Sequence, residues 1–266
     1  MEFVGPNVFV DGTTVSGPAR RPNSEAQRAA YESKVVKVWN KIRGVAFGRA
    51  FLDIISNNPN PIVIAPSRDP ENADATALNS ARGFAPGANM PGPNGTVAGT
   101  GLGGGSTTVV HFNPDGKFSG IGADVTLLHE MLHAYRKACG RWNMLPMDPF
   151  VNSTNPRGER MRFENWEEWF SVVAEGVYGS EAGATSVRVA HSRILAMLVA
   201  LKPSGPPVSA WGGTQQTDSQ IFADRYRPAI LRILGQEPQI YAAMRNSTAW
   251  FNPVRDFEDA LLASRI

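Results

Sequence analysis

The segment of this chain best suited to chemistry is His129-Glu130-Met131-Leu132-His133. On a helix, residues four apart lie one above the other on the same face. Two imidazoles at that spacing converge on one divalent ion, and about 2.0–2.1 Å is the ordinary zinc–histidine distance. Glu130 is offset by one residue, so its carboxylate stands beside the ion. From there it can take a proton from a metal-activated water as that water attacks a carbonyl. His-Glu-x-x-His on a helix is therefore the pattern of zinc-dependent peptide hydrolysis. The plain alternative is two surface histidines with a carboxylate neighbour. On the catalytic reading, Zn2+ is the cofactor, His129 and His133 are ligands, and Glu130 is the general base.

A catalytic zinc needs a third protein ligand and leaves one position for water. An extended form of the pattern would place a glycine at 136 and a ligand at 139. This chain has Arg136 and Cys139 there. Without that glycine the helix is not expected to break, and Cys139 reads as a small buried side chain near a helix end. The acids of 163–177 are a better source. As a helix, this stretch gathers Trp166, Trp169, Phe170 and Val173 on an apolar face, with Glu164, Glu168, Ser171 and Glu175 on another. Periodicity leaves Glu164, Glu167, Glu168 and Glu175 in competition. Acids early in a helix are also favoured by its dipole with no metal involved.

These residues need elements to hold them. Asp124 is a candidate cap for a helix over about 125–138, and Gly140 a stop. Before it, Thr107 to Phe112 is β-branched and aromatic and reads as a strand, closed by an Asn113-Pro114-Asp115-Gly116 turn. Ile62-Val63-Ile64 reads as a buried strand, and Val8-Phe9-Val10 as a short one in an otherwise irregular start. Asn23 or Ser24 can cap a helix from Glu25. Tyr31, Val35, Val38, Ile42 and Val45 mark its apolar face. The helical pattern runs to about Ile55, split near Gly44.

Residues 66–106 read as a long, partly mobile loop, densest in glycine at 99–105. No phosphate-loop pattern is present there. Residues 141–160 read as loop, with Pro146, Pro149 and Pro156. Helices are expected near 185–201, 219–234, 237–245 and 255–264, with Ser204 to Thr217 as a linker. The expected class is α+β: a small sheet, the His-Glu-x-x-His helix, a second helix bearing glutamates, and a helical C-terminal region. The expected division is a flexible segment 1–23, a core 24–203 and a helical extension 204–266 packed on the core.

Composition bounds the function. The 266 residues carry 42% hydrophobic and 19% charged residues, an ordinary globular balance. A formal net charge of +2 does not suggest nucleic acid or an anionic membrane as partner. No apolar run approaches the ~18 residues of a membrane span, and the first 21 residues lack the apolar core of a signal peptide. The single cysteine, Cys139, cannot form an internal disulfide. Oligomeric state is not readable from the sequence.

The blocks His129-Glu130-Met131-Leu132-His133-Ala134 and Glu167-Glu168-Trp169-Phe170-Ser171-Val172, with the preceding Gly105-Ser106-Thr107-Thr108-Val109-Val110-His111-Phe112-Asn113-Pro114, resemble bacterial effector zinc metallopeptidases. That family includes type III effector proteases and toxin domains of Rhs-type proteins. The two helical blocks and their separation are also similar to clostridial neurotoxin light chains. The resemblance covers roughly residues 45–175. It implies a zincin-like fold of gluzincin type, with Glu168 as third ligand and Glu167 beside it. It also implies endopeptidase action on a target protein, after secretion by a specialised bacterial system into a target-cell cytosol.

The chain departs from the family in two ways. Val172-Val173-Ala174 stands where the family often has a glycine, and the C-terminal third has no counterpart. Family members use an arginine or tyrosine at the oxyanion; Arg188, Arg225, Tyr226 and Tyr241 are all candidates. His111 and His191 read as structural. Two other functions stay open on the same residues. One is a non-catalytic zinc-binding interaction protein; the other is a zinc amidohydrolase acting on a non-protein amide. For a peptidase, the strand at 107–112 is the expected place for an extended substrate to add by edge pairing.

Overall fold

The computed structural model describes residues 1–13, 23–67, 73–88, 90–92, 95–97, 101–116, 121–144, 163, 165–191, 199–203 and 216–264. Its packing separates two units, Met1–Gly44 with Phe51–Leu145, and Val45–Ala50 with Pro146–Ile266. The expected linker is described only from residue 216, and the proline-bearing loop 141–160 only as far as 144.

The first unit is built on a five-stranded sheet. Strand β1 (Glu2–Gly5) turns through Pro6-Asn7 into β2 (Val8–Val10) and pairs antiparallel with it. Helix α1 (Glu25–Arg43) follows. The Ser24 hydroxyl accepts from the Gln27 amide and the Gln27 side chain accepts from the Ser24 amide, a reciprocal cap. Val35, Trp39 and Ile42 are its buried face. Gly44 ends it, and α2 (Ala46–Ser56) follows, as the sequence suggests. Strand β3 (Ile62–Pro66) then pairs parallel with β2. A parallel pair needs a long crossover, and the two helices supply it.

The stretch expected to be loop contains regular structure: β4 (Asp74–Ala77), a one-turn helix α3 (Ser80–Gly83), and the antiparallel pair β5 (Met90–Gly92) and β6 (Gly95–Val97). Strand β4 buries Ala75 and leaves Asp74 and Thr76 exposed. Alanine and aspartate are weak strand formers. Pairing with β7 (Thr108–Phe112) makes this segment a strand.

The sheet order is β1-β2-β3-β7-β4, with β7 parallel to β3 and antiparallel to β4. This overturns the expectation that a substrate adds along 107–112, because both edges of β7 are already paired. Among the described residues, the outer strands of this sheet are β1 and β4.

Helix α4 (Ala123–Ala138) packs on β7, β4 and α1. Leu127, Leu128, Met131, Leu132 and Ala134 are fully buried. The expected cap is corrected. Gly122 is the N-cap, and Asp124 lies inside the first turn, buried, 2.9 Å from Lys41 Nζ of α1. A carboxylate there suits the helix dipole, and the lysine compensates its charge.

Gly140 ends α4 as expected, at φ 66. A Cβ on Gly140 would meet Gly103 C at 2.4 Å and Gly105 N at 2.5 Å. One on Gly105 would meet Ala138 O at 2.0 Å. The glycines let the 103–105 backbone lie directly against the end of the helix.

In the second unit, α5 (Trp166–Glu181) starts three residues later than the sequence suggests. Asn165 caps it, accepting from the Glu168 amide. Within the helix expected at 185–201, the two ends are instead an antiparallel pair, β8 (Ser186–Arg188) and β9 (Val199–Leu201), and 192–198 lie outside the described residues. Gly183, at φ 97, stops α5, and buried Val187 gives β8 an inward face.

The expected helix 219–234 is two helices, α6 (Asp218–Arg225) and α7 (Arg227–Gln236), broken at Tyr226; Pro228 has no N–H to continue the ladder from α6 and sits in the first turn of α7. Helices α8 (Pro238–Arg245) and α9 (Pro253–Ala263) follow near their expected places. Trp169, Phe222 and Tyr226 form an aromatic core. Ring centroids are 6.2 Å apart for Trp169–Phe222, 5.6 Å for Trp169–Tyr226 and 4.4 Å for Phe222–Tyr226. Among the described residues no helix is long and apolar enough to cross a membrane.

Candidate metal centre

Helix α4 carries all three residues of the metal pattern. His129 and His133 are one turn apart, each 5% exposed, and Glu130 is 9% exposed. Their Nε2 atoms stand 3.0 Å apart with the rings perpendicular. Zinc held at tetrahedral angles about 2.0–2.1 Å from both would set those atoms ~3.3 Å apart. The donor set therefore fits zinc with a displacement of about 0.3 Å. In the metal-free protein one neutral ring can donate to the other across the same gap.

The sheet and α1 position this helix from outside. Lys41 reaches Asp124 in the first turn. At the other end, Asn60 Nδ2 donates to Ala138 O at 2.8 Å, taking up a carbonyl that the helix leaves over. His133 meets the ring of Trp142, centroids 4.7 Å apart at 82°. Near the outer strand β4, His111 Nδ1 lies 3.0 Å from Asp74 Oδ1. That bond and the charge of His111 hold the Asp74 carboxyl below its ordinary range, against an opposing effect of burial.

The competing glutamates differ sharply. Glu164 lies outside the described residues. Glu175, 3% exposed, receives Arg188 at both oxygens, from Nε at 2.7 Å and Nη2 at 2.8 Å. A carboxylate engaged on both oxygens by a guanidinium fork is spoken for. Glu167 is buried. Glu168 stands in the first turn of α5, with its Oε2 3.3 Å from His191 Nε2. That separation is within ion-pair range and beyond the ordinary N–H···O hydrogen-bond distance.

Sequence reasoning treats His191 as structural and has no means of joining it to Glu168. No spacing rule links the two positions, and the chain brings them together through the backbone bridge of His191 with Phe163.

Three oxyanion candidates have other engagements. Arg188 holds Glu175, and Tyr241 donates to Glu258 at 2.7 Å. Tyr226 is fully buried in the aromatic core, where burial pushes its phenol upward. Replacing Arg188 by alanine leaves a buried carboxylate without its guanidinium. Breaking such a pair costs on the order of 3 kcal/mol. Arg188→Ala is therefore expected to lower the thermal unfolding midpoint by several degrees. An unchanged midpoint with lost turnover would instead return Arg188 to the list of oxyanion groups.

No family model matches the chain, and no curated protein sequence matches it. Solved structures give weak likenesses. The Clostridium botulinum neurotoxin serotype F light chain is similar over 61% of this chain and 54% of its own, at 12% identity and a TM-score of 0.34. The catalytic domain of Clostridium botulinum neurotoxin serotype F is similar over 84% and 73%, at 11% identity and 0.34. The botulinum neurotoxin serotype HA light chain is similar over 90% and 62%, at 12% and 0.36. This chain thus spans 54% of the length of the first of them. Likeness at this level does not establish a shared fold, and function belongs to the site in any case.

Proposed function

We propose that this chain is a zinc-dependent endopeptidase, zincin-like and of gluzincin type, with His129, His133 and Glu168 as protein ligands and Glu130 as general base. The observation that carries the reading is the convergence of two buried imidazole nitrogens to 3.0 Å on α4, with Glu130 the next residue after His129. Glu168 joins them through the resemblance of its Glu-Glu block, and the engagement of Glu175 by Arg188 favours it over that rival.

When bound, zinc supplies Lewis acidity to a water molecule and to the scissile carbonyl. Glu130 accepts the proton released as the water attacks, then delivers it to the leaving amine. The buried, doubly anchored helix holds these groups in place, so that the proton moves over a fixed short distance. The substrate is an extended segment of a target protein. Secretion and action in a target-cell cytosol complete the proposal and rest on resemblance alone.

The test is a comparison of new protein N-termini in a cell lysate treated with the wild-type chain or with Glu130→Gln. New termini confined to the wild type support the reading and name the substrate. Identical termini, with zinc bound to both proteins, would sink it and favour a non-protein amide or a binding role.

A further inference from the structure

We propose that Trp142 is a positioning residue for the metal ligand His133, held against it by Lys137; this rests on the zinc reading above. Lys137 follows His133 by four residues, so the two side chains rise from one face of α4. Gly140, at φ 66, reverses the chain and returns Trp142 across that face. The indole then touches both side chains. It meets the His133 ring edge-on at 4.7 Å, and Lys137 Nζ stands 4.2 Å from its centroid.

Both partners of the contact are themselves fixed. Lys137 Nζ also donates to the Ala75 carbonyl of edge strand β4, so the ammonium is tied at a second point. Trp142 is 5% exposed and bonded through its backbone on both sides: its amide donates to Gly83 O at 3.2 Å, and its carbonyl accepts from Ala85 N at 2.9 Å. Phe84, Ala88 and Met144 pack around it.

An imidazole swings about two side-chain torsions, and a metal site is only as tight as its least constrained ligand. Here the ligand's ring packs at 82° against an indole that cannot retreat, because its backbone is paired and its other contacts are buried. The cation–π contact adds an attraction that a smaller apolar residue would lose. Trp142 thereby selects the His133 rotamer that brings Nε2 to 3.0 Å from that of His129.

The experiment measures zinc affinity by competition with a chromogenic chelator, together with the visible absorption of the cobalt(II)-loaded protein. The proteins are wild type, Trp142→Leu, Trp142→Phe and Lys137→Met. Partners that orient metal ligands typically control affinity by ~10–100-fold. Trp142→Leu is expected to weaken zinc by at least ~10-fold and to shift the cobalt bands. Trp142→Phe, which keeps an aromatic edge, is expected to retain the wild-type bands and most of the affinity. Lys137→Met, which leaves the core intact, is expected to show a smaller loss in the same direction.

Equal zinc affinity and unchanged cobalt bands in Trp142→Leu would overturn the proposal. So would an equal loss in Trp142→Leu and Trp142→Phe, which marks a general packing role. A wild-type chain that binds no zinc would instead overturn the metal reading from which it starts. The metal-free melting midpoint of each variant identifies any protein that has failed to fold, and Lys137→Met then carries the comparison.

Discussion

Glu130→Gln is expected to keep its zinc and lose peptide turnover by roughly two to four orders of magnitude, the range a positioned acid–base group contributes. The amide has the size and shape of the carboxylate, so the buried helix around it is not disturbed. What disappears is the ability to hold a proton between the attack of water and the departure of the amine. Zinc content measured by atomic absorption, beside turnover of a peptide drawn from the lysate experiment, separates the two effects. Full turnover in a zinc-loaded variant would remove Glu130 from the mechanism. Loss of zinc in the variant would make Glu130 part of the binding site.

The second large effect is expected at the ligands. His133→Ala removes one of two converging nitrogens and is expected to abolish zinc retention on dialysis. Glu168→Ala should weaken zinc by more than the ~10–100-fold typical of a residue that merely orients a ligand. Glu167→Ala should stay at or below that range. The comparison is informative because the two glutamates are neighbours on α5 with different surroundings. Glu167 is buried, whereas Glu168 is partly open and lies 3.3 Å from His191. The reverse order of effects would move the ligand assignment to Glu167.

The local rules served well where one element decides its own ends. Ser24, one of the two expected caps, caps α1, Gly44 divides α1 from α2, and Gly140 stops α4. They failed where pairing partners lie far away in the chain. Asp74-Ala75-Thr76-Ala77 has little strand propensity and becomes β4 only through β7. Ser186-Val187-Arg188 sits among residues that suit a helix, yet it pairs with 199–201. The helix expected at 219–234 breaks at Tyr226, and Pro228, which has no amide hydrogen to bond back to the preceding turn, sits in the first turn of α7. The glycines at 103 and 105 read as looseness in a linear chain. Folded, they are the close seat on which α4 ends.

The site divides in the same way. Sequence by itself determined the pair of histidines and the glutamate beside them, because a helix converts i and i+4 into one face with no help from the rest of the protein. Sequence also narrowed the proposed third ligand to a few acids within residues 163–177. Only the tertiary structure decided that Glu175 is held by Arg188, that Glu168 is met by His191, and that β7 has no free edge to offer a substrate. Each of these depends on groups distant in sequence coming close in space. Periodicity along a single element carries no information about such distances.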